Sequence, residues 1–85
     1  MRDDHEHMIE QTRLLVQRLE RISADSTWAR RSSGQRGALL RWLERLEKQE
    51  QGELPAPSNG EMELFQLLVD VSFDLLEKAA REYMK

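Results

Sequence analysis

The chain contains no cysteine and little proline, glycine or aromatic residue: two prolines, four glycines and five aromatic side chains occur in 85 residues. Without cysteine there is no disulfide, no cysteine-ligated zinc site and no thiol nucleophile, which fits a reducing compartment. No stretch approaches the roughly 18 consecutive apolar residues that a transmembrane helix needs. The acidic start over residues 1–4 also lacks the cationic and apolar regions of a secretory signal. We therefore expect a cytoplasmic protein that does not enter a membrane.

The composition is that of a small globular protein, with 39% hydrophobic and 34% charged residues. A chain of this length buries only about 60 to 65% of the surface that its unfolded form exposes. We expect one domain over residues 1–85, with a modest core that self-association would supplement.

The net charge of −3 is distributed unevenly along the chain. Between residues 26 and 48, six cations and two anions give a local net charge of +4. Between residues 61 and 85, three cations and six anions give a local net charge of −3. Opposite fields on two segments of one small chain can steer docking within the molecule or between copies.

Apolar residues recur at spacings of three and four in three segments, and this period predicts helices at about 4–23, 26–50 and 61–84. Between the first two helices, the oxygen-bearing side chains of residues 23–26 predict a turn and a helix cap. Residues 51–60 hold both prolines and two glycines, so they form a linker. The expected fold is all-α, a three-helix up-down-up bundle.

The third segment is the most apolar of the three. One stripe contains Phe65, Leu68, Val69, Ser72, Leu76, Ala79 and Tyr83, and a second contains Leu64, Leu67, Val71 and Leu75. Together the two stripes cover more than half of the helix circumference, so this helix needs at least two packing partners. We expect helix 3 to be the central hydrophobic element, and its surplus apolar width favours a homodimer through helix 3.

The continuity of helix 2 is open at Gly34 and Gly37. Each glycine inside a helix costs about 1 kcal/mol relative to alanine, which favours a turn over residues 32–37. The apolar register from Trp28 to Leu46, however, continues across the glycines without a slip. We therefore predict a continuous helix.

If helix 2 is continuous, its cations share one side with its glycines and form the strongest candidate for a binding surface. The candidate partner-binding residues are Trp28, Arg30, Arg31, Gly34, Arg36, Gly37, Arg41 and Arg45. We expect Trp28 to anchor a protein partner over the small patch formed by the glycines and Ala38, while the arginines select an acidic partner. Two other interpretations stay open: a merely solvated basic face, and a nucleic-acid-associated regulator that uses the same cations on phosphates.

No residue pattern indicates catalysis. His5 and His7 lie two residues apart and so diverge on a helix, which does not suit a shared metal ion. Asp70 and Asp74 lie one turn apart, but neither histidine lies on the same helix, as a di-iron centre would need. We therefore expect no enzyme, no metal and no cofactor, and interpret the chain as a small interaction or adaptor protein.

Overall fold

A computed structural model describes the backbone of residues 2–83 and the side chains of residues 5–82. It contains three helices, α1 (Arg2–Glu20), α2 (Ala29–Glu50) and α3 (Asn59–Tyr83), and each packs against the other two. The predicted all-α three-helix bundle is confirmed. The side chain of Tyr83, which was placed in the apolar stripe of helix 3, and the expected helix end at residue 84 lie outside the described residues.

The helices alternate in direction. His5 of α1 donates a hydrogen bond from Nε2 to the carbonyl oxygen of Leu46 near the end of α2 (2.6 Å), so α1 and α2 are antiparallel. Near the two ends of α3, Glu61 pairs with Arg45 and Lys78 lies over the ring of Trp28, so α2 and α3 are antiparallel as well. The helices therefore run up, down and up.

The core lies along the axis between the three helices. Its buried apolar members are Met8, Ile9, Leu15, Val16, Leu19, Leu39, Trp42, Leu46, Phe65, Val69 and Leu75. The rings of Trp42 and Phe65 stack with their centroids 5.7 Å apart, and Leu39 and Leu46 are fully buried. Full burial of one such leucine contributes about 1.5 to 3 kcal/mol.

Helix α3 is not the central element that its composition predicted. The most extensive helix–helix contact is between α1 and α2. Five of the seven exposed large apolar side chains in the described part of the chain lie on α3. The two shorter helices bury their narrow stripes against each other, and a third helix packed on this pair cannot cover both of its own stripes.

The turn between α1 and α2 is longer than expected, because α1 ends at Glu20 and α2 begins at Ala29. Within it, Ser23 Oγ accepts a hydrogen bond from the backbone N–H of Asp25 (3.3 Å), and Ser26 Oγ accepts one from that of Trp28 (3.1 Å). Serine side chains that bond nearby amides in this way stabilise turns in place of a helix. The oxygen-rich segment therefore forms the turn itself and moves the start of α2 by three residues.

The segment between α2 and α3 contains a helix-start motif that our interpretation of the sequence missed. Ser58 Oγ accepts from the backbone N–H of Glu61 (3.2 Å), while Glu61 Oε1 accepts from the N–H of Ser58 (3.3 Å). This reciprocal pair is a capping box, recognisable in sequence as serine followed three residues later by glutamate. It starts α3 at Asn59, two residues earlier than expected.

Candidate interaction face on α2 and α3

Helix α2 runs through Gly34 and Gly37 without a break. Arg30, Arg41 and Lys48 are separated by three and two helical turns, so they lie on one side of α2 with the two glycines between them. We call this side, with residues Arg30, Gly34, Gly37, Arg41 and Lys48, the basic face. A Cβ added at Gly34 would meet no atom within 4 Å, and one at Gly37 would approach only the Arg41 guanidinium, at 4.0 Å. The backbone of the basic face is therefore open.

The cations near this face differ in their partners. Lys48 pairs with Glu44 one turn away (3.3 Å), and Arg45, at the edge towards α3, pairs with Glu61. Arg30 and Arg41 are exposed, and neither forms an ion pair with any residue between 5 and 82. The guanidinium groups available to a partner are thus those of Arg30 and Arg41.

Arg36, one of the predicted binding residues, does not lie on the basic face. It is turned by about 120 to 140° around α2 from Arg30 and Arg41. It is half-buried, on the side where Glu47 of α2 pairs with Arg13 of α1. Arg36 therefore does not share a side of α2 with Arg41, because the helical period separates them.

Trp28 is also separate from the glycines. It is half-buried and packs against the core, between the Arg31 guanidinium, 5.6 Å from the ring centroid, and the Lys78 ammonium group, at 5.2 Å. Its ring borders a niche of about 330 Å³ that Arg81 and Glu82 also line. Trp28 and Arg31 thus close the end of the bundle, and the structure does not bring them onto the basic face.

An apolar row on α3 lies beside the basic face. We call Leu64, Leu67 and Val71 the leucine row; their exposed fractions are 59, 58 and 39%. The sequence pattern placed these residues in the second apolar stripe of α3 together with Leu75, which is buried. It could not indicate that they would stay exposed, because their spacing is the same as that of the buried stripe.

The register between α2 and α3 sets the heights of the leucine row. The Trp42–Phe65 stack and the hydrogen bond from Gln35 to Ser72 fix the antiparallel alignment. Counting from these contacts, Val71 is level with Arg36, Leu67 with Leu40, and Leu64 with Leu43. Val71 is thus level with the stretch between Gly34 and Ala38, and Leu67 with the stretch between Ala38 and Arg41.

The leucine row and the basic face lie on the same side of the bundle. Lys78 and Glu82 follow Val71 by two and three turns on the same side of α3, and there Trp28 and Thr27 cover them. At the height of Val71 and Leu67, α2 presents Gly37 and Ala38, which have no large side chain to extend over α3. The two surfaces therefore form one continuous surface, which we call the α2–α3 face.

Comparisons with protein-family models, with curated proteins and with solved structures give no match for this chain. In the part of the chain that the structure describes, no helix is long and apolar enough to cross a membrane. Function must therefore be inferred from the α2–α3 face itself.

Proposed function

We propose that the protein is a small, non-catalytic interaction protein of the cytoplasm that binds an acidic protein surface through the basic face of α2 and self-associates through α3. The observation that supports this most directly is the position of two exposed arginines, Arg30 and Arg41, on either side of an open glycine backbone. Neither has an ion-pair partner among residues 5–82. A partner helix can approach such a backbone closely, and its carboxylates then reach the arginines.

The leucine row supplies the apolar part of the proposed contact. Protein interfaces combine an apolar centre with a polar rim, and large apolar patches on small proteins mark interaction sites. On the α2–α3 face, Leu64 and Leu67 provide exposed apolar surface next to Arg41. The charges would govern the rate and specificity of association more than its affinity.

An acidic protein fits this face better than a nucleic acid does. Arg45 and Lys48 are paired with carboxylates of their own chain, which leaves two guanidinium groups for phosphates. Affinity for nucleic acids comes from the neutralisation of many phosphates together. The nucleic-acid alternative therefore depends on fewer cations than the sequence alone indicated.

Charge reversal on the basic face tests the proposal. We expect Arg30→Glu combined with Arg41→Glu to reduce capture of acidic proteins from a lysate by about tenfold, because favourable contacts become repulsive ones. Arg18→Glu with Arg21→Glu is the matched control, since it reverses two exposed arginines on the α1 side with the same change in net charge. Circular dichroism checks that helix content is unchanged in both variants. Equal capture by the two variants would rule out the basic face as the binding surface.

A mobility-shift assay tests the nucleic-acid alternative separately. With duplex DNA and duplex RNA at low salt, we expect no shift. If a shift appears and the logarithm of the affinity falls linearly with the logarithm of the salt concentration, the result would instead favour phosphate binding by the same arginines.

A further inference from the structure

The α2–α3 face has a regular order of side-chain types across its width. On α3, an acidic column lies beside the leucine row and contains Glu63, Asp70 and Asp74. These residues are four, three and seven positions from Leu67, the spacings of neighbours on one side of a helix. All three carboxylates are exposed. On α2, the small residues Gly34 and Ala38 lie on the α3 side of Arg30 and Arg41. The order across the α2–α3 face is therefore acidic column, leucine row, small residues and arginines.

This order is complementary to itself under one two-fold rotation. If the axis lies between two copies and parallel to the helices, α3 of each copy covers α2 of the other. The acidic column then meets the arginines, and the leucine row meets the small residues. If the axis instead runs across the helices, α3 meets α3 and the two acidic columns oppose each other. The charges therefore favour the first arrangement, an isologous contact in which both copies use the same surface.

The heights of the residues also match in that arrangement. Rotation about an axis parallel to the helices does not move any residue along that axis. Residues at the same height within one chain are therefore also at the same height in the two chains of the dimer. Val71 therefore lies level with the stretch between Gly34 and Ala38 of the second copy, and at Gly34 no atom stands within 4 Å of an added Cβ. By the same register, Glu63 is level with Glu44 of the second copy, which pairs with Lys48 of its own chain. Arg41 lies about 4.5 Å further along the helix axis, within the reach of two long side chains. Neither Glu63 nor Arg41 has an ion-pair partner among residues 5–82 of its own chain.

We propose that the acidic surface bound by the basic face is α3 of a second copy, in a two-fold dimer in which the leucine row of each copy covers Gly34 and Ala38 of the other. This inference rests on the proposed function, since it names the partner of the same face. It also joins the two parts of that function, because binding through α2 and self-association through α3 become one contact.

A second apolar groove provides the competing route to a dimer. It lies between α1 and α3, has a volume of about 280 Å³, and is lined by Leu14 and Phe73 together with His7, Glu10 and Gln11. The arginines of the basic face lie on α2, which does not line this groove. A dimer formed there would not respond to charge changes on α2.

Sedimentation equilibrium of the full chain, with complementary charge variants, tests the proposed dimer. We expect the wild-type chain to form a dimer. In Glu63→Arg alone or Arg41→Glu alone, both symmetry-related pairs become repulsive, and we expect the dissociation constant to rise about tenfold or more. When the two variants are mixed, each of the two contacts in the heterodimer again joins an arginine to a glutamate. We expect the mixture to recover a dissociation constant within about threefold of the wild-type value.

Mixing is the decisive step because it distinguishes contacts between chains from contacts within a chain. If Glu63 and Arg41 interacted only within one chain, the mixture would behave like its two components. The matched control mixes Glu10→Arg with Arg18→Glu, which alter exposed residues of α1. We expect these control variants to dimerise like the wild-type chain, both alone and mixed.

A second variant tests the apolar half of the contact. Gly34→Leu places a large side chain where Val71 of the second copy would lie, and the open space around Gly34 accommodates it in the single chain. We expect helix content to be retained and the dissociation constant to rise about tenfold or more.

A wild-type chain that stays monomeric up to about 1 mM overturns the proposed dimer. So does a dimer whose mass is insensitive to Glu63→Arg, Arg41→Glu and Gly34→Leu. In either case the capture experiment with Arg30→Glu and Arg41→Glu still decides whether the basic face binds an acidic protein. Charge-sensitive capture by a monomeric chain would mean that another acidic protein occupies the face.

Discussion

Gln35 accounts for the polar first half of the buried stripe on α2. Its side-chain Nε2 donates to the carbonyl oxygen of Leu68 (2.9 Å) and to Ser72 Oγ (3.1 Å), and Ser72 Oγ donates to the same carbonyl (2.7 Å). Ser72 is fully buried, so these bonds satisfy polar groups that water cannot reach. They also fix the register of α3 on α2, on which the α2–α3 face depends.

We expect Gln35→Ala to lower the free energy of unfolding by about 1 to 2 kcal/mol, since it removes two hydrogen bonds between helices. Gln66→Ala is the control, because the Gln66 side chain bonds Asp70 of the same helix on the exposed surface (2.9 Å). Its effect should stay within about 0.5 kcal/mol. Urea unfolding measures both, and equal losses would show that the buried hydrogen bonds do not stabilise the fold.

At the scale of the elements, the start of α2 is held by α3. The N-cap residue, Trp28, makes no side-chain capping bond. Instead, Glu82 in the last turn of α3 accepts hydrogen bonds from Ser26 Oγ (3.1 Å), from the backbone N–H of Thr27 (3.2 Å) and from Thr27 Oγ1 (2.8 Å). The α1–α2 turn is thus attached to the last turn of α3 by one half-buried carboxylate.

We expect Glu82→Ala to destabilise this end of the bundle by about 1 kcal/mol, the usual effect of a lost cap. Amide hydrogen exchange should become faster at Ala29 and Ser32, whose N–H groups donate to the carbonyl oxygens of Ser26 and Trp28 just before α2. Glu77→Ala serves as the control, because Glu77 is exposed and pairs only one turn along α3 with Arg81. Unchanged exchange at both amides in Glu82→Ala would show that α2 starts independently of α3.

For the whole molecule, the small core and the exposed apolar residues of α3 link stability to association. A dimer that forms only from folded chains raises the apparent stability as the concentration rises. Each dimer would cover the leucine row of both copies, which a single chain leaves open.

We therefore expect the melting temperature to rise by about 3 to 6 °C for a tenfold increase in protein concentration above the dissociation constant. Circular dichroism melts over a concentration series measure this shift. In Glu63→Arg the melting temperature should vary much less with concentration. A wild-type melting temperature independent of concentration would contradict association coupled to folding.

The number and order of the helices could be predicted from the sequence, because the spacing of apolar residues within each segment indicates a helix independently of the other segments. Helix ends were less predictable. At residues 23–26, serine side chains could either cap a helix or form a turn, and the choice depends on Glu82, 56 residues away from Ser26. The start of α3 was predictable from Ser58 and Glu61, whose spacing encodes the capping box.

The candidate site also has features that the sequence predicts and features that only the packing of the helices determines. Helical periodicity places Arg30, Gly34 and Arg41 on one side of α2, and it also excludes Arg36 from that side; both follow from the sequence because residues in one helix have fixed angular positions. Packing between helices settles which apolar residues of α3 are covered, and it leaves Leu64 and Leu67 exposed. Burial depends on the size and register of side chains on a neighbouring helix, and that relation exists only once the helices are assembled.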